Sequence, residues 1–181
     1  MKKMRCLTLT ASTLCFLFCA TTEGIAQQAS PLTQPCAYLP ESLVRSTFPI
    51  PAGTPLQRTE KRACRWEFAS QAGAGSSSLL QGVALNFYTG KYTPTRIDTL
   101  FNRMKNGSSN TVNGRKIVIK PKNVEWVSGV GDKAFWNDDL KQLAISARKH
   151  LFYVTVTVSG MSKAQQIEAT KKVAVAVIGK L

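Results

Sequence analysis

From residue 62 to 69 apolar and polar side chains alternate, with Cys64, Trp66 and Phe68 on one parity and Ala63, Arg65 and Glu67 on the other. A period of two belongs to a strand with one buried face, so Cys64 and Trp66 are expected to point inward together. Residues 80–88 repeat the pattern through Val83, Leu85 and Phe87 and predict a second strand, joined to the first by a Gly/Ser/Ala-rich hairpin loop over 71–78. The period then changes. Ile97, Leu100, Phe101 and Met104 recur at spacings of three and four, which predicts an amphipathic helix over 94–104 closed by Asn106-Gly107. An earlier short helix begins at Pro40-Glu41, carries Leu39, Leu43 and Val44, and ends near Phe48; Pro49, Pro51, Gly53 and Pro55 then interrupt regular structure.

Further along, Asn113-Gly114 signals a turn before 115–120, where Ile117 and Ile119 alternate with basic residues. Residues 124–127 lead into Gly129-Val130-Gly131-Asp132, and Ala134-Phe135-Trp136 starts another strand. Two segments rich in β-branched residues, 143–147 and 151–158, flank Arg148-Lys149-His150 and read as a hairpin, with His150 an exposed turn residue. Ser162-Lys163-Ala164-Gln165 is a capping box, opening a helix whose apolar stripe is Ile167, Ala174, Val177, Ile178 and Leu181. Hairpin-linked strands with helices between and after them predict one α+β domain over 36–181. It is expected to be a mostly antiparallel sheet of about five to six strands covered by helices.

The start of the chain has a different character. Lys2, Lys3 and Arg5 precede an apolar run over 6–19, and Gly24-Ile25-Ala26 supplies small residues, the order of a secretory signal peptide cleaved after Ala26. Cys19 offers a rival reading as a lipidated cysteine, but Phe18 stands where a lipidation signal has a small residue. Residues 27–35, with Pro31 and Pro35, read as a flexible lead. Cleavage removes Cys6, Cys15 and Cys19 and leaves Cys36 and Cys64, a pair that reads as one disulfide in an oxidising compartment, periplasmic or secreted.

Composition narrows the chemistry. With 44% hydrophobic and 19% charged residues the 181-residue chain is globular rather than disordered. His150 is the single histidine, so no site with two or three imidazoles can form. Gly129-Val130-Gly131-Asp132 lacks the third glycine of a dinucleotide site and reads as a turn. Asp138 and Asp139 are neighbours that point apart, so they fit a hairpin turn at Asn137-Asp138-Asp139 better than a carboxylate pair. Ser159-Gly160 lacks the leading glycine of a nucleophile elbow. No catalytic, cofactor or metal residue is assigned.

Charge is the one feature above background. Lys and Arg outnumber Asp and Glu by 24 to 10, a formal +14 that becomes +12 once Lys2, Lys3, Arg5 and Glu23 leave with the signal peptide. Two candidate anion-binding patches follow. Lys116, Lys120 and Lys122 share one strand parity, and Arg58, Lys61 and Arg62 lie together with Arg65. No aromatics interleave with Lys116 to Lys122, so nucleic acid is not the expected partner.

Cys36 through Phe48, the Cys64-Arg65-Trp66 strand, the Gly129-Val130-Gly131-Asp132-Lys133-Ala134-Phe135-Trp136 segment, the strand pair and the closing helix together resemble small exported bacterial proteins with a PsbP-like fold, including actinobacterial lipoproteins of the LpqN type. The resemblance implies a non-catalytic binding or accessory protein. The leading expectation is accordingly an exported module that holds an anionic envelope component or a partner protein. The alternative is an inhibitor or immunity-type protein directed at a secreted enzyme, and a hydrolase ranks third.

Overall fold

The computed structural model describes residues 30–69, 80–113 and 115–181. The expected signal peptide with Cys6, Cys15 and Cys19, the expected 71–78 loop and Gly114 lie outside the described residues. Within the expected lead, the Thr33 and Gln34 amides both donate to the Ser30 carbonyl, and Pro35 is buried at the start of a short 3-10 turn, Pro35–Ala37.

Among the described residues the main sheet has seven antiparallel strands, and a separate hairpin adds two more, where the sequence predicts five to six in all. The chain enters the sheet by β1 (Gln57–Glu60), β2 (Ala63–Ala69) and β3 (Leu80–Phe87). Helix α2 (Arg96–Asn106) then crosses one face and is followed by the β4–β5 hairpin (Ser108–Val112 and Arg115–Ile119). The chain re-enters at the far edge as β6 (Val124–Val127) and returns through β7 (Lys133–Asn137), β8 (Gln142–Ala147) and β9 (His150–Thr157). Strand β9 meets β3, giving the order β1-β2-β3-β9-β8-β7-β6. The extra strands are those without an apolar alternation. β1 is the edge strand Gln-Arg-Thr-Glu, exposed throughout, and β4 is Ser-Ser-Asn-Thr-Val. A charged edge is also what keeps a sheet from pairing with other chains.

Helices cover both faces. On one face Cys64, Trp66, Phe68, Val83, Leu85, Phe87, Phe152, Val154 and Val156 form the main core with α1 (Glu41–Thr47) and α3 (Lys163–Lys180). Trp66 donates its indole N–H to the Leu39 carbonyl at 2.8 Å, and Glu60 accepts from the Cys36 amide at 2.9 Å, so the segment before α1 is held against β1 and β2. A Cys36–Cys64 disulfide closes the same junction, with Cα atoms 4.8 Å apart. It is a bond that fits a non-cytoplasmic compartment. On the other face α2 buries Ile97 and Phe101 against Phe135, Ala144 and Leu151 in a smaller core. No helix among the described residues is long and apolar enough to cross a membrane.

The capping box forms in full: the Ser162 hydroxyl accepts from the Gln165 amide and the Gln165 side chain accepts from the Ser162 amide. The buried stripe of α3 is rotated from the expected one, to Gln166, Ala169, Thr170, Val173, Ala174 and Val177, leaving Ile167, Ile178 and Leu181 partly buried. Thr170 tolerates the core because its hydroxyl donates back to the Gln166 and Ile167 carbonyls.

Two outcomes follow. The disulfide closes a loop of 28 residues, so the double variant Cys36→Ser/Cys64→Ser should lose about 3–4 kcal/mol in urea unfolding. At the opposite end of the sheet, Asp138 accepts from the Lys141 ammonium at 2.9 Å and from the Trp136 indole N–H at 3.2 Å, and these bonds hold its carboxyl below the ordinary aspartate range. A carboxylate depressed by folding stabilises the native state above its unfolded pKa, and that contribution disappears as pH falls through the folded one. Asp138→Asn should be the less stable protein at neutral pH, with the gap closing below about pH 4. A gap of equal size in strong acid would show that the charge plays no part.

Candidate functional site

Lys116 lies in β5 opposite Thr111, but the strand ends at Ile119. Pro121 follows and has no N–H to give to a ladder. Exposed Lys120 and half-buried Lys122 therefore sit in the connection to β6, where the Lys122 amide donates to the Met104 carbonyl at 2.7 Å and its ammonium lies 3.6 Å from Asp139. The three lysines thus do not share one strand face. Arg58 lies in β1 opposite Trp66, while Lys61 and Arg62 form the β1–β2 turn, all three exposed. Arg65 faces the other side of the sheet and pairs with Glu67 at 3.1 Å.

The remaining candidates resolve as turns. Gly129 and Gly131 have φ of 77° and 62°, and a Cβ on Gly131 would come within 2.7 Å of the Ser146 carbonyl. Asp138 and Asp139 occupy the β7–β8 turn and pair with different lysines, Lys141 and Lys122. His150 is not an exposed turn residue. It is the first residue of β9, half-buried, with its ring edge-on to Phe87 at 6.4 Å. Ser159 lies past the far end of that strand, about 30 Å away at strand rise, and its hydroxyl accepts from Gln81. Among the described residues no cluster of three or more His, Cys, Asp or Glu could hold a metal ion.

The topology brings together cations that are far apart in sequence. β2 begins and β3 ends near one level, where Ala63 pairs with Asn86 and Asn86 with Tyr153, while β9 and β8 run three residues further in the same direction, to His150 and Ala147. The β1–β2 turn with Lys61 and Arg62, the segment after β3 with Lys91, and the β8–β9 turn with Arg148 and Lys149 all emerge at that end of the sheet. The two turns are three strand spacings apart across the sheet, about 14 Å, and offset by about 10 Å along the strands. All five side chains are exposed, and none has a carboxylate partner among the described residues. At the opposite end Lys141 pairs with Asp138, Lys122 with Asp139 and Lys163 with Glu125, and the last bond raises the Lys163 ammonium's pKa. Ion pairs are thereby gathered at one end of the strands and these five unpaired cations at the other, with the exposed Asp132 on its flank.

The β8–β9 turn is unusual. Ala147 pairs with His150, so Arg148 and Lys149 form a two-residue connection, and both have positive φ, 47° and 63°. This is the type I′ geometry that Asn-Gly adopts without strain. A side chain with a Cβ there costs roughly 1–2 kcal/mol per residue, and strain of this kind collects at functional positions. In the sequence, the signal for this turn is two adjacent cations where a tight hairpin ordinarily has Asn and Gly.

A second surface lies on the sheet face that carries α2. Gly82 and Ala84 form the floor of a cleft of about 330 Å³, bordered by Arg65, Glu67, Thr155 and Thr157. A Cβ on Gly82 would come within 2.9 Å of the Trp66 carbonyl. On the same face Arg96 stacks on the Tyr88 ring and donates to its hydroxyl at 2.6 Å. Burial raises the neighbouring Tyr153 hydroxyl's pKa. These groups can form hydrogen bonds, but none pairs a nucleophile with a base.

Comparison with protein-family profiles, curated proteins and solved structures returns no match. The double substitution Arg148→Asn/Lys149→Gly should raise unfolding stability by about 1 kcal/mol, the left-handed penalty less the added freedom of glycine in the unfolded chain. Calorimetry would register this as a higher Tm.

Proposed function

We propose that the mature chain is an exported, non-catalytic binding protein that holds an anionic component of the cell envelope against the cationic end of its sheet. The observation that carries this reading is the strained Arg148-Lys149 turn: the chain accepts left-handed backbone to place two cations at the same end of the sheet as Lys61, Arg62 and Lys91. Local optimisation for stability alone would have put Asn-Gly there. Export is supported by the basic and apolar start of the sequence and by a disulfide that joins the only two cysteines outside that leader. We also propose the PsbP-like relationship, supported by the helix-covered antiparallel sheet and by the early cysteine beside a short helix.

Charges on exposed turns act over about 8–10 Å and are screened by salt, so binding should fall steeply between low and physiological ionic strength. Vesicles containing an anionic phospholipid and a soluble acidic polysaccharide are the probes, with uncharged vesicles as the control. Arg148→Asn/Lys149→Gly should bind the preferred probe more weakly, mainly through slower association, while unfolding at a higher temperature. The stability readout separates lost binding from lost folding. Unchanged affinity and salt dependence in that variant would overturn the assignment of this end of the sheet.

A further inference from the structure

Trp126 is 46% exposed, whereas the other two tryptophans, Trp66 and Trp136, are 6% and 0% exposed. It lies on edge strand β6, with one ring face stacked on Phe101 at 4.1 Å and its edge turned to Phe135. The rest of the indole borders a cleft of about 390 Å³ that is also lined by Asp98, Asp132 and Lys133 and by Val127 and Ala134, two residues that pack in the main core. Lys133 bonds both Asp98 oxygens, at 2.9 and 2.8 Å. The Asp132 carboxylate is exposed and has no ion-pair partner among the described residues.

We infer that this cleft is a saccharide-binding site for a neutral pyranose unit, a role separate from the cationic end. The apolar C–H face of a pyranose ring fits an aromatic plane held rigid from behind, as Phe101 holds Trp126. Its hydroxyls are both donors and acceptors, matching a free carboxylate beside an ion-paired carboxylate and ammonium. Two carboxylates against one ammonium leave the cleft net negative, which disfavours an anionic ligand. Trp126 on an exposed edge is otherwise an apolar liability.

The buried positions of Trp66 and Trp136 make Trp126 the tryptophan most open to acrylamide quenching. Cello-, malto- and chito-oligosaccharides, each titrated to millimolar concentration into the mature protein, are the probes. At least one should protect Trp126 from quenching, with little change between low and physiological salt. Asp132→Ala removes an exposed side chain with no ion pair among the described residues, so it should stay folded while weakening that binding about tenfold. Trp126→Ala should abolish the protection and weaken binding, followed by calorimetry, by a similar factor. Arg148→Asn/Lys149→Gly should leave it unchanged. Absence of protection by all three sugars, or sugar binding unaffected by Asp132→Ala, would overturn the site.

Discussion

Everything on the two faces and two ends of this molecule depends on the pairing of β3 with β9. The first three strands and the last four are separate meanders, and they join along six residue pairs, from Gly82 opposite Thr157 to Phe87 opposite Phe152. On one face the join places Val83, Leu85 and Phe87 beside Phe152, Val154 and Val156, all at 2% exposure or less. On the other it places Gly82 and Ala84 beside Thr157 and Thr155, leaving the floor of a cleft. A register slip of one residue would exchange those faces, so the hydrophobic core and the polar cleft are specified by the same alternation.

That register also decides the electrostatics. The turns that emerge with the start of β2 and of β9 are brought to one end because both strands are antiparallel to β3 and so run the same way, and both turns carry adjacent cations. At the other end the turn after β7 carries Asp138 and Asp139, which are neutralised by Lys141 and Lys122. Exposed ion pairs of this sort contribute little to stability. What they change is the field, because they remove cations from one end and leave the uncompensated charge at the other.

Local structure was legible in the sequence wherever burial wrote a period into it. Cys64, Trp66 and Phe68 point inward as their alternation predicts, α1 ends at Thr47 beside Phe48, and Gly107 closes α2 with φ 69°. Strand β1 was missed because an exposed edge strand buries too little to impose a pattern, and β4 because Ser-Ser-Asn-Thr-Val carries no apolar alternation. The α3 stripe was displaced because Gln166 and Thr170 look polar in sequence, whereas in the helix the Thr170 hydroxyl is satisfied by backbone carbonyls. The lysine face at 116–122 failed for a further reason: parity holds only while a strand continues, and this one stops before Pro121. The cationic end could not be read at all without strand order, since Lys61 and Lys149 are 88 positions apart.

The two proposed surfaces adjoin but differ in physics. Lys133, in the Trp126 cleft, pairs across the sheet with Ser146, two residues before Arg148, and the Asp132 amide donates to the Ser146 carbonyl at 2.8 Å. The cleft therefore lies on the flank of the cationic end. Screening acts on the two unequally. Cations on exposed turns interact through water and lose most of their reach at physiological salt. An aromatic face and short hydrogen bonds act at contact, and desolvated contact terms are nearly indifferent to ionic strength. Asp132 stands between the two surfaces, where its carboxylate repels an anion approaching the cleft and can accept hydrogen bonds from the hydroxyls of a neutral ring. On the proposed assignments, neighbouring surfaces of opposite preference thus remain distinct in what they would hold, even though one sheet register positions both.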